Sequence, residues 1–218
     1  MDSAERLIES TRQLLWSRGY VGTSPKAIQQ LSGAGQGSMY HHFSGKKELA
    51  LVAIERSAAA LCERAESQFS APGTAVERIA AFLRLERDVL KGCPIGRLTQ
   101  DPDVVADAEL RAPVERTFGW LRRRLAEVLA DGVQQGEFGP PTRAVRLDPA
   151  STASAVVAAM QGGYVLARAA NSPEPFTEAV EGILGLLFAL VADSRSEPHE
   201  RRRDLVRHAV RDNPADRL

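Results

Sequence analysis

From residue 23 to residue 43 the chain reads Thr23-Ser24-Pro25-Lys26-Ala27-Ile28-Gln29-Gln30-Leu31-Ser32-Gly33-Ala34-Gly35-Gln36-Gly37-Ser38-Met39-Tyr40-His41-His42-Phe43. Ser24 before Pro25 is a helix start. A serine hydroxyl accepts from an early amide N–H, and proline at the first helical position gives up only an N–H that has no intrahelical partner. The helix so opened turns Ala27, Ile28 and Leu31 inward and ends near Ser32-Gly33. A further short helix begins at Gly35 or Gln36, includes Met39 and Tyr40, and is broken by Ser44-Gly45. Two short helices about a glycine-containing turn make a helix-turn-helix.

Charge supports the same reading. Residues 10–47 hold no Asp or Glu, although the chain carries 28 acidic residues; at average density about five would fall there. Arg12, Arg18, Lys26, Lys46 and Lys47 remain as cations. A helix that enters the major groove, about 12 Å wide, lies beside two phosphate strands, so carboxylates repel and bulk at its N-terminus blocks approach. Here that end is Gly35-Gln36-Gly37-Ser38, small and uncharged. The competing reading is a segment that buries its polar face. Formal net charge is zero over 218 residues, which excludes a general nucleic-acid sponge and requires anion binding to come from patches.

The quoted stretch, continued by Lys46-Lys47-Glu48-Leu49, resembles the DNA-binding domain of the tetracycline-repressor-like (TetR) regulators. The resemblance covers about the first fifty residues. It implies that Tyr40 contacts phosphate and His41 a phosphate or base edge. It implies that Lys46, with the amide N–H groups at the start of its helix, holds phosphate. Thr23 and Ser24 would anchor the second helix to the DNA backbone, with the cation Lys26 beside them. Gln36 and Ser38 would read base edges, Gln favouring adenine. Ile28 and Phe43 read as core and Lys47 as a solvated charge, with DNA contact the lesser reading. Gly35 stands where the family commonly has serine, and Gln29 and Ser32 where it has alanine, which bears on operator sequence. His41-His42 is not a metal pair, because adjacent helical side chains diverge and no third ligand is suitably spaced.

The remainder is helical by pattern, with no alternating strands and no repeat. The expected fold is all-α: an N-terminal three-helix helix-turn-helix domain over 1–47, then a larger ligand-binding and dimerisation bundle over 48–194. A helix over 46–69 connects them, and an arginine-rich tail spans 195–218. The first helix starts near Ser3 with Asp2 and Glu5 at capping-box spacing. After Ala71-Pro72-Gly73, Thr74 and Glu77 repeat that spacing ahead of a helix carrying Val76, Ile79, Phe82, Leu83 and Leu90. Gly92-Cys93-Pro94-Ile95-Gly96 is an irregular corner, similar to one in a subgroup of the family. Pro113 is read as opening a long helix with Val114, Phe118, Leu121, Leu125, Leu129 and Val133 on one stripe. In the tail, Leu205, Val206, Ala209 and Val210 fit a weak amphipathic helix. Its charges read as solvated, with DNA contact by Arg201, Arg202 and Arg203 the lesser reading.

From Pro149 to Asn171 the only charge is Arg168. The next helix is apolar nearly all round in its second half, and such a helix is buried on more than one side. The reading is a subunit contact, with Val157, Val180, Leu184, Leu187, Phe188 and Val191 at a four-helix dimer interface; the alternative is a central helix of one monomer. Polar or aromatic residues on apolar faces mark a pocket, giving Phe82, Glu86, Cys93, Arg97, Phe118, Trp120, Met160, Gln161 and Tyr164 as ligand-lining candidates. Arg97 would pair with a ligand carboxylate or with Glu86. Cys93 reads as lining or packing rather than a redox sensor, and Cys62 as structural.

No nucleophile elbow, phosphate loop or paired-cysteine metal spacing occurs, so no catalytic residue, metal or cofactor is expected. Two cysteines give no disulfide framework, no leader is read at Met1, and no apolar run reaches membrane-spanning length. The expected setting is the cytoplasm. The expected function is a homodimeric, ligand-responsive transcription regulator, a repressor released from a palindromic double-stranded operator by a small-molecule effector. The alternatives are a helical carrier or enzyme on the same bundle, and a module whose cationic helix-turn-helix meets an acidic protein.

Overall fold

The computed structural model describes residues 2–139 and 147–191. Among them are nine α-helices and one 3-10 turn: α1 (Ser3–Arg18), α2 (Pro25–Ser32), α3 (Gln36–His42), α4 (Lys46–Phe69), α5 (Ala75–Leu83), the turn (Gly96–Gln100), α6 (Pro102–Ala106), α7 (Ala108–Gln134), α8 (Pro149–Ala170) and α9 (Glu174–Phe188). The all-α expectation holds. The arginine-rich tail, with Arg201, Arg202 and Arg203, lies outside the described residues.

Local chemistry places most of the boundaries. The Asp2 carboxylate accepts from the Glu5 N–H at 2.8 Å and starts α1. Ser24 caps α2 through the Ala27 N–H, and Gly33, at φ 65, ends it in the left-handed region that glycine enters without a Cβ penalty. Thr74 and Glu77 form a complete capping box on α5. Leu31, read as inward, is half exposed instead; a helix of eight residues held on one side has room for a single buried stripe, and Ile28 occupies it. Leu90 is also exposed, because α5 stops at Leu83 and the chain turns into an irregular stretch.

The start of α7 differs as well. It begins at Ala108, where the Asp107 carboxylate accepts from the Glu109 and Leu110 amides. Pro113 therefore sits inside the helix rather than at its mouth. Of the stripe read after it, Val114, Leu121, Leu125 and Leu129 are buried and Val133 is exposed.

The core is one continuous cluster from Leu7 to Leu187. Its centre is α7, packed on α4 and on α8, with α8 and α9 the closest helix pair. That closeness has a cause at Gly163. A Cβ there would lie 3.1 Å from the Phe176 ring and 3.3 Å from the Ala179 Cβ. Arg124 makes a bidentate pair with Glu66, both contacts at 2.8 Å, joining α7 to α4. Arg84 does the same with Glu181 between α5 and α9.

This packing corrects the interface reading. Val157, Val180, Leu184 and Leu187 are buried inside the single chain. They form the inner face of the α8–α9 pair. Val191 is half-buried and its backbone bridges to Phe138. Only Phe188 of the six faces outward, 47% exposed, together with Val165, Leu166 and Leu186.

Two glycines on α7 separate packing from propensity. At Gly132 a Cβ would meet the Ala75 Cβ at 2.7 Å, whereas at Gly119 it meets only the mobile end of Arg123. Gly132→Ala should lower stability and Gly119→Ala should raise it by about 0.5–1 kcal/mol, the usual helical gain over glycine. Denaturant unfolding of both variants checks this; equal effects would show that α5 does not press on α7 at Gly132.

Candidate nucleic-acid interface and ligand cleft

Helix α3 is held from below. Met39 is fully buried, Phe43 and Ile28 are buried beside it, and the Gln29 amide nitrogen reaches the Met39 sulfur at 3.7 Å. The turn before α3 is pinned where the Ser32 hydroxyl accepts from the Ala34 N–H at 3.2 Å and Arg6 Nε donates to the Ser32 carbonyl at 3.1 Å. At the far end His42 Nε2 and Ser3 Oγ are hydrogen-bonded at 2.9 Å. With one face so fixed, Gln36, Gly37, Tyr40 and His41 are left exposed and Ser38 half-buried. A Cβ added at Gly35 or Gly37 would touch nothing within 4 Å. Packing therefore does not require glycine at either position; their smallness serves the outer surface.

Of the residues expected beside phosphate, Ser24 and Lys26 lie exposed on α2. Thr23 does not. It is 1% exposed, and its hydroxyl donates to the Gly19 carbonyl at 2.6 Å, so its side chain is a clasp of the α1–α2 turn rather than an anchor to DNA. Lys46 is half-buried, its ammonium 3.8 Å from the centre of the Tyr20 ring. Desolvation pulls its pKa below the ordinary lysine value, with Asp103 and Asp101 opposing. Lys47, read as solvated, pairs with Asp107 at 2.7 Å and Glu109 at 3.0 Å. Next to it, the Glu48 carboxylate accepts from the Ser44 hydroxyl and amide, both at 2.7 Å, which holds its pKa below the usual range.

Besides the packing of α1 on α4, where Arg12 Nε donates to the Ser57 hydroxyl at 3.2 Å, the first three helices meet residues 91–109. Trp16 Nε1 donates to the Gly92 carbonyl at 2.8 Å, and the Lys91 ammonium sits 3.9 Å above the Trp16 ring. The Val21 N–H donates to Asp101 at 3.0 Å. Gly19, at φ 73, leaves room for that carboxylate: a Cβ there would stand 2.7 Å from the Asp101 oxygen.

Two clefts open on either side of the same corner. One, about 430 Å³, lies between α1, α4 and the end of α5 and includes Phe82, Cys93, Met160 and Tyr164 in its lining. The other, about 370 Å³, lies between α7, α8 and the corner and includes Cys93, Arg97, Phe118, Gln161 and Tyr164. Seven of the nine candidates thus border a cleft. Glu86 and Trp120 border neither: Glu86 is exposed, and its carbonyl accepts from Arg64 at 2.7 Å. The expected Arg97–Glu86 pair is absent among the described residues.

Burial pushes the Cys93 thiol above its ordinary pKa, against the Gly96 amide that donates to its sulfur at 3.3 Å. Burial likewise pushes Tyr164 up to about 12. Sequence reading missed Arg87. Its guanidinium donates to the Leu83 and Phe82 carbonyls at 2.5 and 2.7 Å, capping the end of α5 while lining the first cleft. Burial lowers its pKa. An arginine in an irregular stretch carries no periodic signal; only its offset of four from Leu83 hinted at a helix-end role. Trp16 and Arg12 of α1 were missed as lining for the same reason, since they come from the other half of the chain.

Comparison with known proteins agrees with this layout. Residues 7–53 match the model for bacterial regulatory proteins of the tetR family. Residues 74–183 match a tetracyclin repressor-like C-terminal domain. The HTH-type transcriptional regulator LmrA of Bacillus subtilis is 27% identical over 195 residues, covering 85% of this chain and 97% of that protein. An uncharacterized HTH-type transcriptional regulator of Mycobacterium tuberculosis is 27% identical over 194 residues, covering 85% and 94%. The crystal structure of a TetR transcriptional regulator from Chloroflexus aurantiacus superposes with a TM-score of 0.74 at 25% identity, covering 87% of this chain and 96% of that one. Among the described residues, no helix is long and apolar enough to cross a membrane, and no cluster of His, Cys, Asp or Glu has the makings of a metal site.

The two thiols should differ in reach. Cys62 is half-buried and Cys93 is buried, and burial raises both pKa values. Iodoacetamide at neutral pH should alkylate Cys62 first, and both faster as pH rises, since the thiolate is the nucleophile. Mass spectrometry reads the order; faster labelling at Cys93 would mean its cleft is open to solvent.

Proposed function

The chain belongs to the tetracycline-repressor family of ligand-responsive, DNA-binding transcription regulators, and on that premise we propose that it is a homodimeric repressor whose two α3 helices occupy a palindromic operator until an effector releases them. The observation that carries this is α3 itself. It presents Gln36, Gly37, Tyr40 and His41 outward at the end of a stretch, residues 10–47, that holds no carboxylate. Gln36 is the base reader and Ser38 its half-buried neighbour. Tyr40, His41, Ser24 and Lys26 face the phosphates, and Lys46 joins them from the first turn of α4.

The second copy covers the outer face of α8 and α9. Leu166, Leu186 and Phe188 stand 47–67% exposed there, and Ala155 and Ala169 extend the face without charge. Contiguous apolar surface of this kind on a helix pair favours self-association through a four-helix contact.

Release needs an effector that binds the two forms of the dimer unequally. The corner at Gly92–Gly96 supports such coupling. It walls both clefts, and it is hydrogen-bonded to Trp16 of α1. A ligand that displaces the corner draws on α1 and with it the spacing of the two α3 helices.

Gel shifts with the inverted repeat nearest the coding region test the reading. Affinity should fall steeply with salt as phosphate-bound counterions are released. Tyr40→Ala should cost about 1–3 kcal/mol of binding, roughly tenfold or more, with helicity and dimerisation unchanged. A flat salt response, or a Tyr40→Ala protein that binds normally, counts against the assignment of α3. Phe188→Arg or Leu186→Arg should give folded monomers in sedimentation. Leu184→Arg should instead unfold the protein, because Leu184 is 1% exposed within one chain. An unchanged dimer in the Phe188 and Leu186 variants would refute the interface.

A further inference from the structure

The cleft between α7, α8 and the corner is lined by Lys91, Arg97, Arg122 and Arg168 and by no carboxylate. In a chain with as many acids as bases, four cations around one cavity without an acid need a counter-charge. Arg97, Arg122 and Arg168 take no part in any ion pair among the described residues. The carboxylate nearest in effect to Arg97 is Asp101, and its oxygens already accept from the Val21, Asp103 and Val104 amides.

Two donors in this cleft are also unsatisfied. Arg97 Nε is buried without a hydrogen-bond partner among the described residues, and Gln161 Nε2 has at most the Cys93 sulfur, a weak acceptor. Leaving a buried donor unmade costs free energy that native folds seldom accept without a reason. Gly96 lets Gln161 approach the backbone next to Arg97: a Cβ there would stand 2.3 Å from the Gln161 amide oxygen. Burial first, and the Arg168 charge second, pull the Arg97 pKa below its ordinary value; an anion offsets both. Beside these donors the wall is apolar, from Phe118, Val157 and Val165.

We propose that this cleft binds a small organic carboxylate, its head held by Arg97 and Gln161 with Arg122 and Arg168 around it, and its apolar body laid against Phe118 and Val157. A guanidinium and an amide offer N–H donors to a carboxylate, and the apolar wall gives an organic body a place that a bare inorganic anion would leave empty. The volume, about 370 Å³, is near the lower end of small-molecule sites. The assignment deepens the effector reading above and rests on it for its regulatory meaning. The binding itself is independent of DNA.

Calorimetry on the full chain, without DNA, tests it. The probes are benzoate, hexanoate and decanoate, with benzamide and hexanol as uncharged matches. At least one carboxylate should bind with Kd below about 1 mM, and its uncharged match at least about tenfold more weakly, in line with the loss of charged hydrogen bonds. Arg97→Gln and Gln161→Met should each weaken the carboxylate by about tenfold or more. Arg116→Gln, whose side chain pairs with Glu55 on another face, should leave it unchanged. Equal binding of charged and uncharged probes, no carboxylate binding, or binding indifferent to both cleft variants would overturn the assignment. So would an Arg97→Gln protein that turns monomeric in sedimentation yet binds the probe as before, which would give these cations to the partner copy. Gel shifts run in parallel keep the two readings apart: carboxylate binding that fails to release the operator upholds the site and removes its role as effector pocket.

Discussion

A single buried carboxylate ties the turn after α1 to the start of α6, alongside the packing of α1 on α4. Asp101 is 7% exposed, and its oxygens accept from Val21 on one side and from Asp103 and Val104 on the other. A buried charge is tolerated only when its lone pairs are met. Both the α1–α2 turn and the start of α6 are therefore set by the same group. Gly19 yields the space for it, and the Thr23 hydroxyl closes the turn over it. Trp16 on Gly92 and Lys47 on Asp107 add to one line of attachment. Lys46 against the Tyr20 ring and Lys47 between Asp107 and Glu109 tie the start of α4 to the same region.

That reliance on partners distant in sequence explains what was and was not legible in the sequence. The helix-turn-helix could be read because its determinants are local: Ser24 and Pro25 start a helix, Gly33 ends it, and Met39 and Phe43 lie on one face of the next. Lys47 was misread because its partners, Asp107 and Glu109, lie sixty residues away and no spacing rule connects them. Thr23 was misread for a similar reason: whether a hydroxyl at a helix mouth points outward or back to Gly19 depends on the turn, and the turn depends on Asp101.

Farther along the chain, periodicity identified the apolar helices but not their inner and outer sides. Helix α9 is apolar on both. Val180, Leu184 and Leu187 were read as a subunit contact when they form the inner side, and Phe188 alone of the α9 set stands exposed. A pattern of period 3.6 states that a face is apolar and says nothing about what lies against it. Pro113 shows another limit. Proline is favoured at a helix start, but the Asp107 carboxylate supplies an earlier start, and one missing N–H inside a helix of 27 residues is carried by the packing of Val114 and Leu121. The cleft was partly legible: the corner with Cys93 and Arg97 announced itself by its irregularity, while Arg87 and Trp16 come to it only through folding.

Gly163 carries a consequence beyond packing density. Its lack of a side chain brings the backbone of α8 against Phe176 and Ala179, and the Tyr164 and Phe176 rings lie 4.6 Å apart beside it. Close packing of this kind resists slippage between the two helices. They behave as a stiff plank, so the back wall of the cation-lined cleft and the outward hydrophobic surface are two sides of one body. In the proposed dimer, a push on Gln161 from within would tilt Leu186 and Phe188 without, and the angle between the two copies would report what the cleft contains.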